Sequence, residues 1–142
     1  MAPLVVPDAS VILKWLLPSD DEPSADKALL LRDAIMDEQV RVVVPTLWLF
    51  EVGNTVTRRF PNHATAWLRA LMRFELEESS PSPRWLATTI ELTRHYGVTF
   101  YDAAYHATAI VHDGLFITAD ARYAGRANGA GAVVVLSDWS RP

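Results

Sequence analysis

Short apolar runs alternate along this chain with longer stretches whose apolar residues recur at helical spacing. Leu4-Val5-Val6, closed by Pro7, and Val42-Val43-Val44, closed by Pro45, are two of the runs; Leu115-Phe116-Ile117-Thr118 and Val133-Val134-Val135-Leu136 are two more. They are brief, mostly β-branched and continuously apolar, which predicts strands buried on both faces. A weaker fifth strand is expected near residues 74–78. Helices are predicted over 9–16, ending before Pro18, and over 23–38, with Pro23 in the first turn. Thr46 is expected to cap a helix reaching Arg59, and Asn62 the next, through Trp67, Leu68 and Leu71. A helix over 83–96 is closed by Gly97, a residue suited to the left-handed position after a helix. Thr99 opens another, with Asp102 three residues on in capping-box position and Asp113-Gly114 at its end. Asp120 opens a last short one that stops near Asn128-Gly129. Strands alternating with helices imply βαβ crossovers. The expected fold class is therefore α/β, three layers with a mostly parallel central sheet of four or five strands. Such folds bind ligands beyond the carboxyl ends of their strands.

Composition narrows this further. The 142 residues suit a single domain, 1–142, with no repeat and no linker. At 50% hydrophobic and 21% charged, the chain is not of disordered type. No apolar run approaches the roughly 18 residues a membrane span requires. Asp8 interrupts the first apolar stretch and no basic segment precedes it, so neither a signal peptide nor membrane association is expected. Cysteine is absent, which excludes disulfides, thiolate metal sites and Cys nucleophiles. The expected compartment is the cytoplasm. A net charge of −4 argues against whole-surface attraction to nucleic acid. Yet eleven of the thirteen basic residues are Arg, whose planar fork suits phosphate as well as carboxylate.

Four acids then stand out by position. Asp8 follows the first strand, Glu51 lies in the helix after the second, Asp102 opens the helix before the fourth run, and Asp120 follows that run. All four can reach one edge of the sheet. Carboxylates so gathered repel, and a divalent cation resolves the repulsion. Hard oxygen ligands without Cys or a His pair select Mg²⁺ or Mn²⁺ over Zn²⁺. A plainer reading stays open: Asp is a good N-cap, so Asp8 and Asp120 can be caps, and Asp102 the acid of a capping box. Glu51, inside Leu47-Trp48-Leu49-Phe50-Glu51-Val52, needs a partner if buried, and Arg58 and Arg59 are at hand.

Four segments give the chain a family resemblance. Asp8-Ala9-Ser10-Val11, Pro45 through Phe50-Glu51-Val52-Gly53-Asn54, Tyr101-Asp102-Ala103-Ala104-Tyr105 and Thr118-Ala119-Asp120 resemble, in order and spacing, the motifs of PIN-domain ribonucleases. The likeness is nearest to the VapC-like toxins of toxin–antitoxin pairs. The resemblance implies a PIN-like fold and metal-dependent endonucleolytic cleavage of RNA. It implies that Asp8, Glu51, Asp102 and Asp120 are catalytic and hold Mg²⁺ or Mn²⁺, with Ser10, Asn54 and Thr118 as hydrogen-bonding support. It further implies an RNA substrate, a VapB-like antitoxin partner and a homodimer. The chain departs from the pattern after Asp120, where Ala121-Arg122-Tyr123 carries no further acid. A second departure is His106, which stands where the family usually has an aliphatic residue. Its helical position is also open to a hydrogen-bonded core role, and it is left out of the site.

Arg59, Arg122 and Arg126 are candidates to contact RNA phosphates. The tryptophans sit among leucines at helical spacing and are assigned to packing, with Trp48, Trp67, Leu68 and Leu71 as interface candidates. Other α/β classes fail by inspection. No second Asp follows Asp8 at the phosphatase spacing, no Lys follows the last strand as in a receiver domain, no Gly-rich turn follows the first strand, and Ser10 is in no nucleophile elbow. The alternative that survives is an inactive PIN-like module that binds RNA or protein, which a direct metal titration separates from an enzyme.

Overall fold

The computed structural model describes residues 2–18, 20 and 22–142. Strand β1 (Leu4–Pro7) leads into α1 (Ala9–Leu13) and α2 (Ala25–Met36), then β2 (Arg41–Pro45), α3 (Trp48–Arg59), α4 (Ala64–Met72) and β3 (Glu77–Ser79). Helices α5 (Pro83–Tyr96) and α6 (Phe100–Val111) follow, then β4 (Leu115–Thr118), α7 (Ala121–Ala127) and β5 (Val133–Val135). The five strands form one sheet in the order β3-β2-β1-β4-β5. Every neighbouring pair is parallel, with Val5 opposite both Val42 and Leu115 at the centre. The sheet is thus wholly parallel.

Continuous burial explains why. Val5 to Pro7, Val42 to Pro45 and Phe116 to Thr118 are each buried without alternation, so both faces of the three central strands are covered. The chain winds outward from β1 through β2 to β3, then crosses to the far side of β1 for β4 and β5. That reversal opens a crevice at the carboxyl ends of β1 and β4, where doubly wound folds hold ligands.

Helix α6 is the chief covering element. Its residues Ala103 through Ala109 are all buried, and it packs against β1, β2, β4 and α5. A helix buried all round must be apolar or small all round, which accounts for its four alanines in that stretch. Trp85 of α5 seals the pair, its Nε1 donating to Ala104 O and Thr108 Oγ1, both at 3.1 Å. His106 belongs to this core. Gly131 O can only accept, so Nε2 donates to it at 2.7 Å, and Nδ1 accepts from Tyr123 Oη at 2.8 Å. Burial lowers the ring's basicity, and the Gly131 carbonyl partly opposes this.

The predicted boundaries held best where a cap is chemically explicit. Ser82 Oγ accepts from Trp85 N, Thr99 from Asp102 N, and Gly97 ends α5 at φ 64°. Other expectations are corrected. Thr46 caps nothing: β2 runs through Pro45, and α3 begins at Trp48 behind Leu47 with no side-chain cap. Asn62 is replaced by His63, also without a capping bond, because residues 61–63 turn before α4 starts. Pro23 lies in a turn ahead of α2, whose first residue follows Ser24 in left-handed conformation. The weak strand forms later than expected, at Glu77–Ser79, as a mostly exposed polar edge. The last strand stops at Val135, and Leu136–Asp138 tightens into a 3₁₀ turn. Trp48 and Leu71 are core residues and so cannot serve an interface.

Gly114 marks a tight passage into β4. A Cβ there would stand 2.3 Å from Leu4 Cδ2 and 2.8 Å from the Leu4 carbonyl oxygen. Leu4, in β1, is paired with Arg41 of β2 and cannot retreat freely. Gly114→Ala is therefore expected to destabilise the domain by about 1–3 kcal/mol through overpacking. A lowered urea midpoint with an unchanged slope is the expected result.

Candidate metal and phosphate site

The crevice between β1 and β4 is organised around Asp8, buried directly after β1. Its Oδ1 accepts from the Ser10 hydroxyl and, at 3.2 Å, from Val11 N; its Oδ2 accepts from Thr118 Oγ1 at 2.6 Å. Both hydroxyls are directed. Ser10 Oγ accepts from Ala119 N at 3.1 Å, and Thr118 Oγ1 accepts from Asp120 N at 3.0 Å. A hydroxyl has one proton, so both protons are committed to Asp8. The network ties the ends of the two strands together through one carboxylate. Burial pushes Asp8 up to about 6 despite these bonds, with the charge of Asp102 adding to the shift.

Glu51 enters from the first turn of α3 and Asp102 from the first turn of α6, positions where a helix dipole favours an anion. Glu51 does not pair with Arg58 or Arg59. Its Oε1 accepts from Tyr105 Oη at 2.6 Å. Burial raises the Glu51 carboxyl, the phenol bond lowers it and Asp102 raises it further. Asp102 is raised by burial, lowered by the Thr99 hydroxyl and raised by Asp120. Asp120 is exposed and caps α7, its Oδ1 accepting from Tyr123 N at 3.1 Å. Capping and clustering thus coexist: Asp8 and Asp120 each bond a helix amide, and neither is used up by doing so.

Together Asp8, Glu51, Asp102 and Asp120 line one cavity of about 170 Å³ with Ala9, Ser10 and Tyr105. Among the described residues none of these acids is ion-paired to a Lys or Arg; the ion pairs lie elsewhere. Nor do any three Asp, Glu or His side chains there converge closely enough to chelate one ion as they stand. The cleft is a set of mutually repelling carboxylates rather than a closed cage. Its donors are nonetheless the hard, charged oxygens that Mg²⁺ and Mn²⁺ take, and three of the four are held above their ordinary proton affinity with a neighbouring carboxylate among the causes. On ligand chemistry and charge, the residues fit a hard divalent cation.

The remaining candidates are distributed unevenly. Ser10 and Thr118 touch Asp8 directly. Asn54 is exposed on α3 and makes no side-chain hydrogen bond to an acid among the described residues. Arg122 is exposed in the first turn of α7, two residues past Asp120. Arg126 donates to Gly97 O at 3.2 Å, fastening α7 to the segment before α6. Arg59 lies at the far end of α3, its guanidinium 5.2 Å from the Phe60 ring centre. At about 1.5 Å per residue it is roughly 12 Å along the helix from Glu51. Sequence reasoning gave Tyr105 no role. The available signal was its place three residues after Asp102, on the same helical face, combined with the need of a buried Glu51 for a donor.

Comparison with known proteins bears on the family and the fold. A family model described as the PIN domain matches residues 5–128. A toxin–antitoxin complex from Klebsiella pneumoniae is similar at 17% identity and TM-score 0.68, covering 93% of this chain and 97% of that one. A DNA-bound VapBC from Salmonella typhimurium is 13% identical with TM-score 0.69, covering 96% and 99%. VapC20 from Mycobacterium tuberculosis, described as a sarcin–ricin-loop-cleaving toxin, is 18% identical with TM-score 0.65, covering 97% and 99%. At these identities the likeness is one of fold. No curated protein sequence matches the chain. With a family model matching most of its length, over a wholly parallel sheet that carries acids at its carboxyl edge, the chain belongs to the PIN domain family.

Proposed function

We propose that this protein is a metal-dependent endoribonuclease, the toxin of a toxin–antitoxin pair, hydrolysing RNA phosphodiester bonds with Mg²⁺ or Mn²⁺ held by Asp8, Glu51, Asp102 and Asp120. One observation carries the reading: four carboxylates share a cleft, none is neutralised by a protein cation among the described residues, and two are oriented by uncharged hydroxyls. Neutral donors fix direction without cancelling charge, as a cation site requires. The bound ion would supply Lewis-acid activation of water and stabilisation of charge at the phosphorus. The chain's own part is positional. Ser10 and Thr118 hold Asp8, Tyr105 holds Glu51, and the first turns of α3 and α6 aim Glu51 and Asp102 inward. Arg122, and less directly Arg126 and Arg59, would meet the flanking RNA phosphates.

The partners follow from the same reading. A VapB-like antitoxin placing a basic side chain among the acids would compete with the metal. Two of the similar structures are toxin–antitoxin or VapBC assemblies, which supports a partner of this kind, and a homodimer is proposed with it. No described helix is long and apolar enough to cross a membrane. An inactive binding module is the weaker alternative, because it gives the unneutralised acids no role.

Freed of any inhibitor, the protein is expected to cut structured RNA with Mg²⁺ or Mn²⁺ and to stop on chelation; chelator-resistant cleavage would refute the mechanism. Mn²⁺ at one hundred times its dissociation constant should stabilise wild type by about 2.7 kcal/mol in thermal melts. Asp102→Asn should lose most of that gain and nearly all cleavage, while its metal-free form is at least as stable as wild type, since one repelling charge is gone.

Asp8 adds a pH dependence with a definite sign. Its folded carboxyl titrates near 6 against 3.8 ordinarily. Folding thus favours the protonated form, and the stability this contributes is lost as pH rises through about 6. A cation must displace that proton. Mn²⁺ titrations on either side of about pH 6 should show tighter binding on the alkaline side, and Asp8→Asn should flatten the difference.

A further inference from the structure

We propose that Tyr105 is a positioning residue for Glu51: by engaging Oε1 it leaves Oε2 as the oxygen this carboxylate presents to a divalent cation in the cleft. The inference rests on reading the cleft as a cation site and goes further in naming which oxygens face the ion and what selects them. The bond is 2.6 Å long and joins residues 54 apart in sequence, one on α6 and one on α3. Tyr105 is the fixed partner. Its ring is 1% exposed and stacks on Phe116, with centroids 6.2 Å apart and planes 11° from parallel. Glu51 is half-buried at the cleft and is the side that must come to the phenol.

The chemistry of the donor matters as much as its place. A phenol, with an ordinary pKa of about 10, donates its proton in a hydrogen bond without carrying charge. The phenol therefore orients the acid and leaves its full charge for a cation, which an Arg or Lys partner would not. Asp8 is handled by the same logic. Its Oδ1 already takes two donors, Ser10 and Val11 N, whereas Oδ2 takes only Thr118. With about two lone pairs per oxygen, Asp8 is filled at Oδ1 and keeps one acceptor site at Oδ2, while Glu51 keeps one at Oε1 and both at Oε2. Each carboxylate thus has one oxygen freer than the other, and at Glu51 the phenol decides which.

Tyr105→Phe tests this, because it keeps the ring and its packing and removes only the donor. Mn²⁺ affinity, measured by calorimetry without RNA, is expected to weaken within the roughly 10–100-fold range of lost ligand-orienting bonds. The Mn²⁺ concentration for half-maximal cleavage should rise in step, while the rate at saturating Mn²⁺ stays within a few fold. In a Glu51→Gln background the same change should weaken Mn²⁺ no further, because Tyr105 acts through Glu51. Should Tyr105→Phe fail to fold, 4-fluorophenylalanine at position 105 serves instead, its fluorine filling the place of the hydroxyl without donating; the same weakening is expected. Unchanged Mn²⁺ affinity in the folded variant, or equal weakening in both backgrounds, overturns the role of Tyr105 alone. Wild type that binds no Mn²⁺ overturns the cation reading beneath it, and this inference with it.

Discussion

A carboxylate confined where two parallel strands end is the constraint on which the rest of this structure turns. Asp8 is desolvated by the sheet and the helices over it, yet it is pinned by two hydroxyls whose own lone pairs are engaged by the amides of Ala119 and Asp120. Displacing Asp8 would release the Ser10 and Thr118 hydroxyls, which link the end of β1 to the amides of the segment after β4. The cost of burying a charge and the bonding of the strand ends are therefore one problem with one solution. That solution holds the cleft open at the switch point of the sheet.

The other three acids reach this place by different routes, which governs how negative the cleft stays. Glu51 and Asp102 ride on helix first turns, where the dipole gives each modest relief. Asp120 remains in solvent and keeps its hydration. Asp8 caps the short α1 but is the most deeply buried of the four, and burial pushes it up to about 6. The negative charge of the cleft is therefore graded, from a desolvated carboxylate at its floor to a hydrated one at its rim.

Much of this was legible in the chain. The continuous β-branched runs specified a doubly covered parallel sheet, and the strand-end rule then placed Asp8 and Asp120 at one edge without reference to any motif. The turns were harder. Thr46 and Asn62 are good cap residues in principle, but a strand that runs through Pro45 and a turn over 61–63 displaced them; local propensity yielded to the geometry of the connections. Strand β3 was blurred because Glu77 and Glu78 are exposed on an edge, where neither side imposes an apolar pattern. The donor that meets Glu51 was not foreseen, for a different reason. Arg58 and Arg59 were the nearest cations along the chain, whereas the actual donor comes from a helix 54 residues away. No periodicity encodes a contact between two elements that meet only after folding.

The burial of α6 on all sides bears on how such a chain can change. Between Ala103 and Ala109 every position is watched by the sheet or by α5, so a substitution there has no free direction in which to grow. The outward faces of α3, α4 and α7 carry no such restriction. Substitution is therefore tolerated more readily on those faces than in the helix that delivers Asp102 into the cleft. A scaffold divided in this way can keep its outline across proteins that share only 13–18% of their residues with it.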